Sequence, residues 1–308
     1  MRLSRSRRVN TWRNIRKNWG LYLLLFPGVA LLALFVYKPM YGILIAFKDY
    51  TPRFGILGSP WAGMKYFRQF FNSFQFANTI RNTIIISLYG LAVSFPLPII
   101  VALCVNQMRV QKFRKVFQVT TYLPHFISTV VLVGMMIIIL SPTSGIVGNI
   151  ARLFGVEPVN VLGVPGWFRH IYVWSGVWQN TGWDSIIYLA ALSAVDPQLY
   201  EAATVDGASK FQKMIYIDVP MLVPTMATLL ILRSGNIMSV GFEKVYLLQN
   251  PLNMLYSEIF STYVYKIGLL NAQYSFSSAV NLFNNVINFI MLVMVNQISR
   301  RISNNSLW

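Results

Sequence analysis

Polar side chains recur inside otherwise apolar segments of this sequence. An unpaired polar group in hydrocarbon is costly, so such side chains usually face the interior of a helix bundle or a water-filled path. Amides and carboxylates exchange hydrogen bonds with hydroxyl groups, and indole rings offer flat apolar faces, so this set suits a sugar-like ligand. The candidate residues are Trp178, Gln179, Asn180, Asp184, Arg233, Asn236, Ser239, Asn281 and Asn285.

The same polar residues have a structural interpretation. Asn281, Asn284, Asn285 and Asn288 follow helical spacing along one face of the last apolar segment. Amides on such a face form hydrogen bonds between helices and hold a bundle together. A ligand path and a set of interhelical bonds are both compatible with this spacing.

Asp184 and Arg233 are predicted to share one depth in the membrane. Asp184 precedes the expected inner end of its segment, Ala194, by ten residues, and Arg233 follows the expected start at Met221 by twelve. At about 1.5 Å per residue, both lie roughly 15 to 18 Å from the inner boundary. We expect them to pair or to line one cavity together. A free guanidinium would attract the carboxylate of an acidic sugar, so neutral and acidic oligosaccharides both fit.

The segments that carry these residues have the composition of membrane helices. Hydrophobic residues make up 55% of the 308 residues and charged residues 11%, with a mean hydropathy of +0.52, whereas soluble domains carry about 25% charged residues. Helices satisfy their own backbone in lipid, and a barrel would show short alternating strands instead. We therefore predict an all-α polytopic membrane protein with six transmembrane helices and both termini in the cytoplasm.

The predicted domain organisation follows from the apolar runs and the charges that flank them. A basic cytoplasmic tail (1–18) precedes a transmembrane domain (19–301) and a cytoplasmic tail (302–308). The net charge of +17 comes largely from cations next to the spans, as the positive-inside rule predicts, and this placement disfavours a nucleic-acid partner. The expected spans are 19–47, 79–105, 117–140, 167–194, 221–240 and 277–298.

The segments 48–78, 141–166 and 241–276 are predicted to be outer loops. In the first of them Phe67, Phe70, Phe71 and Phe74 form an apolar stripe at helical spacing. This stripe predicts an amphipathic helix that either helps to close the ligand path or packs onto the rim of the bundle.

The sequence lacks the residues that disulfide formation, a shared histidine site and nucleotide binding require. The single cysteine, Cys104, excludes an intrachain disulfide, and the two histidines, His125 and His170, fall at opposite edges of the predicted membrane domain. The phosphate-binding pattern G-x-x-x-x-G-K-[ST] is absent from the sequence. We therefore expect no catalytic residues, no metal site and no bound cofactor on this chain.

A polar, helix-prone stretch from Glu201 to Pro224 lies between two apolar segments. Gly207 can adopt backbone angles closed to other residues, so it allows a sharp turn. We expect a short helix, a break at the glycine, a second short helix and an apolar exit through Pro220 and Pro224. The six-span topology places this stretch in the cytoplasm.

This stretch resembles the EAA loop of binding-protein-dependent ABC importer permeases. The residues that carry the resemblance are Glu201-Ala202-Ala203, Gly207 and Ile217-Asp218-Val219-Pro220. Other segments resemble the oligosaccharide and polysaccharide branch of the maltose-type permeases, so that the likeness extends over nearly the whole chain. These segments are Tyr37-Lys38-Pro39-Met40-Tyr41-Gly42, Ala46-Phe47-Lys48-Asp49-Tyr50, Tyr122-Leu123-Pro124 and Gly241-Phe242-Glu243-Lys244.

The resemblance implies a role for the loop 196–220, called the coupling loop below. In the family this loop docks into the ATPase subunit, with a polar contact, two small residues for close approach and a bend. The corresponding residues here are Glu201, Ala202, Ala203, Asp206 and Gly207.

The resemblance also implies the assembly in which the chain works. It implies a second homologous permease forming a heterodimer, a cytoplasmic ATPase dimer that holds ATP and Mg, an extracytoplasmic solute-binding protein and an oligosaccharide substrate. The complex would lie in the bacterial cytoplasmic membrane and import its substrate by alternating access.

The alternative function is an ion-coupled secondary transporter without an ATPase. Such transporters use intramembrane carboxylates or broken-helix ion sites within internal repeats. Asp184 is the one convincing carboxylate at membrane depth, and the sequence has no evident duplicated half. These observations favour the importer subunit.

Overall fold

A computed structural model describes residues 16–303 of the chain, with the backbone alone for Ser299 and residues 301–303. The predicted tails 1–18 and 302–308 lie largely outside this range. About 78% of the chain is helical, and the described residues contain no strand beyond one isolated bridge between Lys48 and Trp61. The all-α prediction is therefore confirmed.

Ten helices position the residues of interest. They are α1 Trp19–Phe47, α2 Phe74–Asn106, α3 Gln111–Phe126, α4 Thr129–Ile139, α5 Trp167–Ser193, α6 Pro197–Val205, α7 Lys210–Ser234, α8 Phe242–Leu248, α9 Phe260–Tyr265 and α10 Tyr274–Ser303. Shorter helices occupy the connections, at Gly55–Gly58, Lys65–Phe71, Ile146–Leu153, Val161–Gly163, Met254–Ser257 and Lys266–Leu270.

Four of the described helices, α1, α2, α7 and α10, are long and apolar enough to cross a membrane. The bent pair α3 and α4 makes a fifth when it is counted as one span. Helix α5 has 27 residues, enough for a span, but a more polar sequence. The structure therefore supports a polytopic membrane protein with four or five apolar spans, plus one long polar helix.

Helix α1 continues through Lys38-Pro39. A π-helical turn, Ala33–Tyr37, precedes Lys38, and a tighter 3₁₀ segment, Tyr41–Phe47, follows Met40. Proline lacks a backbone N–H, and such local changes of pitch accommodate it without ending the helix. The side chains of this helix are largely exposed within the chain, and Ala46 is the one that is fully buried.

The predicted span over 117–140 corresponds to two helices joined at a sharp bend. Helices α3 and α4 meet at an angle of 98°. Pro124 lies in the last turn of α3, where it cannot donate a backbone hydrogen bond. Ser128 then caps α4 by accepting a hydrogen bond from the backbone N–H of Val131 at 3.4 Å. The two apolar runs therefore form an elbow.

The prediction that 241–276 is an outer loop is also wrong. Helices α8 and α9 lie in this segment, and Val245, Ile259 and Phe260 are each at most 1% exposed. They pack against apolar residues of α2, α4 and α10. Each of the apolar runs here is too short for a span of about 20 residues, yet together they fill the interior of the bundle.

The phenylalanine stripe of 48–78 packs onto the bundle rather than standing free. Phe67 and Phe70, on the short helix Lys65–Phe71, are buried. Phe70 lies in an apolar cluster with Phe260, Phe276 and Val280. Phe71 and Phe74 are exposed, and Phe74 begins α2. The rim-packing interpretation therefore describes this helix.

Helix α5 is the central element of the bundle. Tyr188, Leu189 and Leu192 pack against apolar residues of α2 and against Leu222 of α7. The backbone of α3 crosses α5 at Gly182, and a Cβ at that position would clash with the main-chain carbonyl of Thr121. Glycine is therefore required for the close approach of these two helices.

We expect the Gly182→Ala variant to be about 1–3 kcal/mol less stable than the wild-type protein, because the added methyl group overpacks a backbone-to-backbone contact. The measurement is the midpoint of thermal unfolding of the purified protein in detergent. Gly134→Ala is the matched control, because a Cβ on that residue of α4 has no neighbour within 4 Å. Equal midpoints for the two variants would contradict the assigned contact.

Candidate functional site

A cavity of about 360 Å³ lies between α2, α5, the end of α7 and α8. Six of the nine candidate residues line it, which are Gln179, Asn180, Asp184, Arg233, Asn236 and Ser239. Ser87, Gly90 and Ser94 form the wall contributed by α2. The volume is near the lower end of the usual range for small-molecule pockets, about 300–1,000 Å³.

Three candidate residues lie away from this cavity. Trp178 points outward from α5 with 51% of its surface exposed. Asn281 and Asn285 lie on an exposed face of α10, and Asn281 lines a separate aromatic cavity with Tyr50 and Tyr274. Adjacent residues on a helix point in different directions, and the inward face of α10 carries Asn284 and Asn288 instead.

Asn288 is an interhelical hydrogen-bonding residue. Its Oδ1 accepts from the backbone N–H of Met238 at 2.9 Å, and its Nδ2 donates to Ser239 Oγ at 3.1 Å. These bonds join α10 to the segment after α7 at the edge of the cavity. For Asn288, the interpretation that the asparagines of α10 form hydrogen bonds between helices is therefore correct.

The polar residues of α5 are placed by its helical repeat. Gly176, Asn180 and Asp184 are four residues apart and line one wall of the cavity. Gln179 donates to the main-chain carbonyl of Ile127 at 2.8 Å, and Asn180 Oδ1 lies 2.9 Å from His125 Nδ1. The two amides therefore also tie α5 to the elbow between α3 and α4.

The two histidines lie in different contacts, His125 of α3 against α5 and His170 of α5 against α2. His125 stacks on the indole of Trp183, with ring centroids 4.5 Å apart, whereas His170 lies 3.0 Å from the hydroxyl of Tyr89. No group of three potential metal-binding side chains occurs within residues 16–303.

Asp184 and Arg233 form an ion pair on the cavity wall. Arg233 Nη2 lies 2.5 Å from Asp184 Oδ2, and about one third of each side chain is exposed. Arg233 Nη1 lies 3.4 Å from both the main-chain carbonyl and the hydroxyl of Ser94. The two residues therefore pair and also line the cavity together, which agrees with their predicted common depth. The guanidinium of Arg233 is not free to bind another carboxylate.

Lys244 is a second cation of the cavity that the sequence analysis did not select. Its side chain is 9% exposed, and Nζ donates to the main-chain carbonyl of Tyr172 at 3.0 Å and lies 5.0 Å from the centre of that ring. Burial lowers the pKa of Lys244 to about 8. The sequence feature that could have pointed to Lys244 was a lysine inside a short apolar run, but this run lies in a segment that was predicted to be a loop.

The coupling loop has a helix, a turn and a second helix that is part of a longer one. Asp196 caps α6 by accepting from the backbone N–H of Gln198 at 2.9 Å. Gly207 has a φ of +74°, which an L-residue rarely adopts. Ser209 and Gln212 then form a capping box at the start of α7.

The predicted second short helix and the predicted span 221–240 belong to one helix, which starts earlier and ends earlier than that span. Helix α7 runs unbroken from Lys210 to Ser234, through a π-helical turn at Met214–Asp218. Pro220 lies in the first turn after this change of pitch, where its missing N–H is tolerated. The polar and apolar parts of the sequence therefore belong to one rigid element.

The residues predicted to dock into the ATPase lie on the exposed surface of the coupling loop. Glu201, Ala202, Asp206 and Gly207 are exposed, and Ala203 is half-buried. Large apolar side chains beside them are also exposed, namely Leu199, Val205, Phe211 and Tyr216. Exposed apolar groups of this kind mark interaction surfaces.

A buried carboxylate anchors the coupling loop from within. Asp218 is fully buried and accepts hydrogen bonds from Tyr200 Oη at 2.5 Å, Gln107 Nε2 at 2.9 Å and Asn106 Nδ2 at 3.4 Å. Burial, together with the bond to this carboxylate, raises the pKa of Tyr200 to about 12. Because these donors lie on α6 and at the end of α2, Asp218 connects three helices.

The sequence from 94 to 304 matches the family described as "Binding-protein-dependent transport system inner membrane component". The polygalacturonan/rhamnogalacturonan transport system permease protein YteP of Bacillus subtilis (strain 168) is 41% identical, over 94% of this chain and 90% of that protein. Protein LplB of the same organism is 39% identical, over 95% of this chain and 92% of the relative.

Solved structures share the fold over nearly the whole chain. One is a bacterial ABC transporter involved in the import of the acidic polysaccharide alginate, with a TM-score of 0.89 and 40% sequence identity over 96% of this chain and 99% of that one. A second structure, with the same TM-score and coverage, is the bacterial alginate transporter in complex with an alginate pentasaccharide-bound periplasmic protein.

These likenesses agree with the apolar helices, the exposed coupling loop and the absence of a catalytic set from the sequence. The relatives with named activities are permease proteins of transport systems rather than enzymes, and they span membranes repeatedly. The chain belongs to the family of binding-protein-dependent transport system inner membrane components, and is a multi-pass ABC permease subunit of the cytoplasmic membrane.

Proposed function

We propose that this chain is one transmembrane subunit of an ATP-driven, binding-protein-dependent importer of oligosaccharides. The observation that carries the proposal is the continuity of α7, which begins in the coupling loop at Lys210 and carries Arg233 into the cavity wall. This stretch of helix is about 35 Å long at 1.5 Å per residue. A push on the loop is therefore transmitted directly to the cavity.

The proposed mechanism is alternating access driven by a separate ATPase dimer. ATP and Mg bind to that ATPase, and this chain binds no cofactor. Glu201, Ala202, Ala203, Asp206 and Gly207 dock into the ATPase subunit. When the ATPases close, the loop moves together with α2 and α7, to which Asp218 ties it. The cavity then opens outward to receive the sugar from an extracytoplasmic binding protein, and hydrolysis resets it.

The proposed complex contains a second homologous permease as the other half of a heterodimer. The apolar side chains of α1 are exposed from Trp19 to Tyr41, so they require lipid or another subunit as a partner. The cavity in this chain is also small for an oligosaccharide. Both observations support a substrate path completed by another permease.

The proposed topology has six spans, with both termini in the cytoplasm and a membrane domain over 19–301. Helix α5 and the bent pair α3–α4 complete the set begun by the four apolar helices. The polar wall of α5 faces the cavity, which accounts for its lower apolarity. This topology leaves the coupling loop on the side of the ATPase.

An acidic oligosaccharide is the proposed substrate. The relatives include transport systems named for polygalacturonan, rhamnogalacturonan and alginate. Two cations, Arg233 and Lys244, and one carboxylate, Asp184, line the cavity. The cavity is therefore net cationic, which favours an anionic ligand. Because Asp184 is paired with Arg233, it is not a free site for a coupling ion, so the secondary-transporter alternative loses its main residue.

We expect Gly207→Val to abolish coupling. In the complex reconstituted with its ATPase, second permease and binding protein, oligosaccharide-stimulated ATP hydrolysis should fall at least about tenfold, since a β-branched residue is strained at a φ of +74° and redirects α6. Glu201→Arg should reduce co-purification of the ATPase.

Gly155→Val is the matched control for this experiment. Gly155 has a φ of +70° and, like Gly207, would place a Cβ in open space, but it lies in the predicted outer loop. An equal loss of oligosaccharide-stimulated ATP hydrolysis in Gly207→Val and Gly155→Val would contradict the coupling role of the loop 196–220. No stimulation of the wild-type complex by any oligosaccharide would contradict the importer function.

We expect the charge reversals Asp184→Arg and Arg233→Asp each to reduce sugar uptake at least about tenfold, because each leaves two like charges facing one another in the cavity wall. The double exchange should recover much of this loss, which a double-mutant cycle of uptake rates in proteoliposomes measures. Normal uptake by both single variants would contradict both the pairing and the role in the substrate path.

We expect a cysteine at Val205 to react with a membrane-impermeant maleimide only after intact cells are opened. The side chain is 89% exposed and lies in the coupling loop, which the topology places inside. The experiment uses a Cys104→Ala background, and Leu153→Cys serves as the outer control with 84% exposure. Labelling of Val205→Cys in intact cells would overturn the orientation.

A further inference from the structure

We infer that Lys244 is the residue that binds the carboxylate of an acidic sugar in the cavity, and that it thereby determines selectivity for anionic over neutral oligosaccharides. This inference rests on the proposed importer function and adds a specificity-determining residue to it. It concerns the one cavity that α2, α5, α7 and α8 enclose.

Arg233 is a poor carboxylate-binding group in this state of the protein. A guanidinium binds a carboxylate with two parallel N–H groups, but Nη2 of Arg233 already contacts Asp184 and Nη1 faces Ser94. A second carboxylate at this position would also meet the negative charge of Asp184. The Arg233–Asp184 pair therefore contributes a dipole to the cavity wall rather than an anion site.

Lys244 has the opposite arrangement. It is nine-tenths buried on the cavity wall, and no carboxylate lies within ion-pair distance of its Nζ among residues 16–303. The preceding residue, Glu243, is exposed. A buried charge without a counter-ion is strongly unfavourable unless something neutralises it. A ligand carboxylate would supply the missing partner.

The contacts of Lys244 hold its ammonium in place but leave it capacity to bind. Nζ donates to the carbonyl of Tyr172 and lies over the ring of the same residue. An ammonium has three donors, and the structure gives one hydrogen bond to protein for this group. Because the side chain is already desolvated and oriented, binding a carboxylate costs little further ordering.

The surroundings of Lys244 leave room for a ligand. A Cβ on Gly176 would lie 3.4 Å from Nζ, so the absence of a side chain there keeps the α5 wall open beside the ammonium. Asn236 and Ser87, on the same cavity, supply neutral groups for sugar hydroxyls. The cavity therefore offers one uncompensated cation among uncharged polar groups, which matches a sugar unit bearing one carboxylate.

The test uses the complete importer in proteoliposomes, with saturating binding protein loaded with a short oligogalacturonate. We expect Lys244→Met to lower the rate of uptake at least about tenfold, which is the usual effect of losing a charge-assisted hydrogen bond. Lys244→Arg keeps the charge and should retain uptake within about threefold of wild type. The yield of assembled complex should be unchanged in both variants.

Lys48→Met is the matched control. The Nζ of Lys48 also donates only to main-chain carbonyls, those of Ile56 and Leu57, at 2.7 and 3.0 Å, but it lies outside the cavity. Uptake by this variant should equal that of wild type. Equal loss in Lys244→Met and Lys244→Arg, or wild-type uptake by Lys244→Met, would overturn the charge-binding role.

The failure of the proposed function has a different signature. If the wild-type complex takes up neither the oligogalacturonate nor a neutral oligosaccharide of the same length, the importer function itself is wrong. If wild type takes up only the neutral compound, the importer function stands and the role of Lys244 in binding a carboxylate is overturned.

Discussion

A polar group buried in a low-dielectric interior is costly unless a partner compensates it, and this constraint governs the arrangement of the bundle. Asp218 has three hydrogen-bond donors in and beside the coupling loop, and Asp184 is paired with Arg233 at the cavity. Asn288 bonds to the segment that follows α7. These bonds join helices that are distant in sequence.

Helix α7 joins the coupling loop to the cavity wall. Its first residues belong to the coupling loop, and its last turn forms part of the cavity wall. Gly207 permits the sharp turn into it, and Asp218 ties it to α2 and α6. The arrangement suits a permease whose motor is another polypeptide.

The common depth of Asp184 and Arg233 was predictable because a helix rises by a constant amount per residue and a membrane gives both helices the same reference plane. The docking residues from Glu201 to Gly207 were predictable because their spacing resembles a known loop, and their role there stays a prediction. Lys244 was missed because the proposal for it depends on its burial and on the lack of a neighbouring carboxylate among residues 16–303. Absence of a counter-ion is a property of the folded interior.

The sequence by itself determined the class of the protein, the helical segments and the position of the polar stretch, because hydrophobic runs and turn residues act locally. Only the tertiary structure decided the 98° elbow, the burial of α8 and α9 and the inward face of α10. Short apolar runs and asparagines at neighbouring positions have several possible partners. Packing against residues distant along the chain decides which of those partners is used. A local sequence pattern does not specify such long-range contacts.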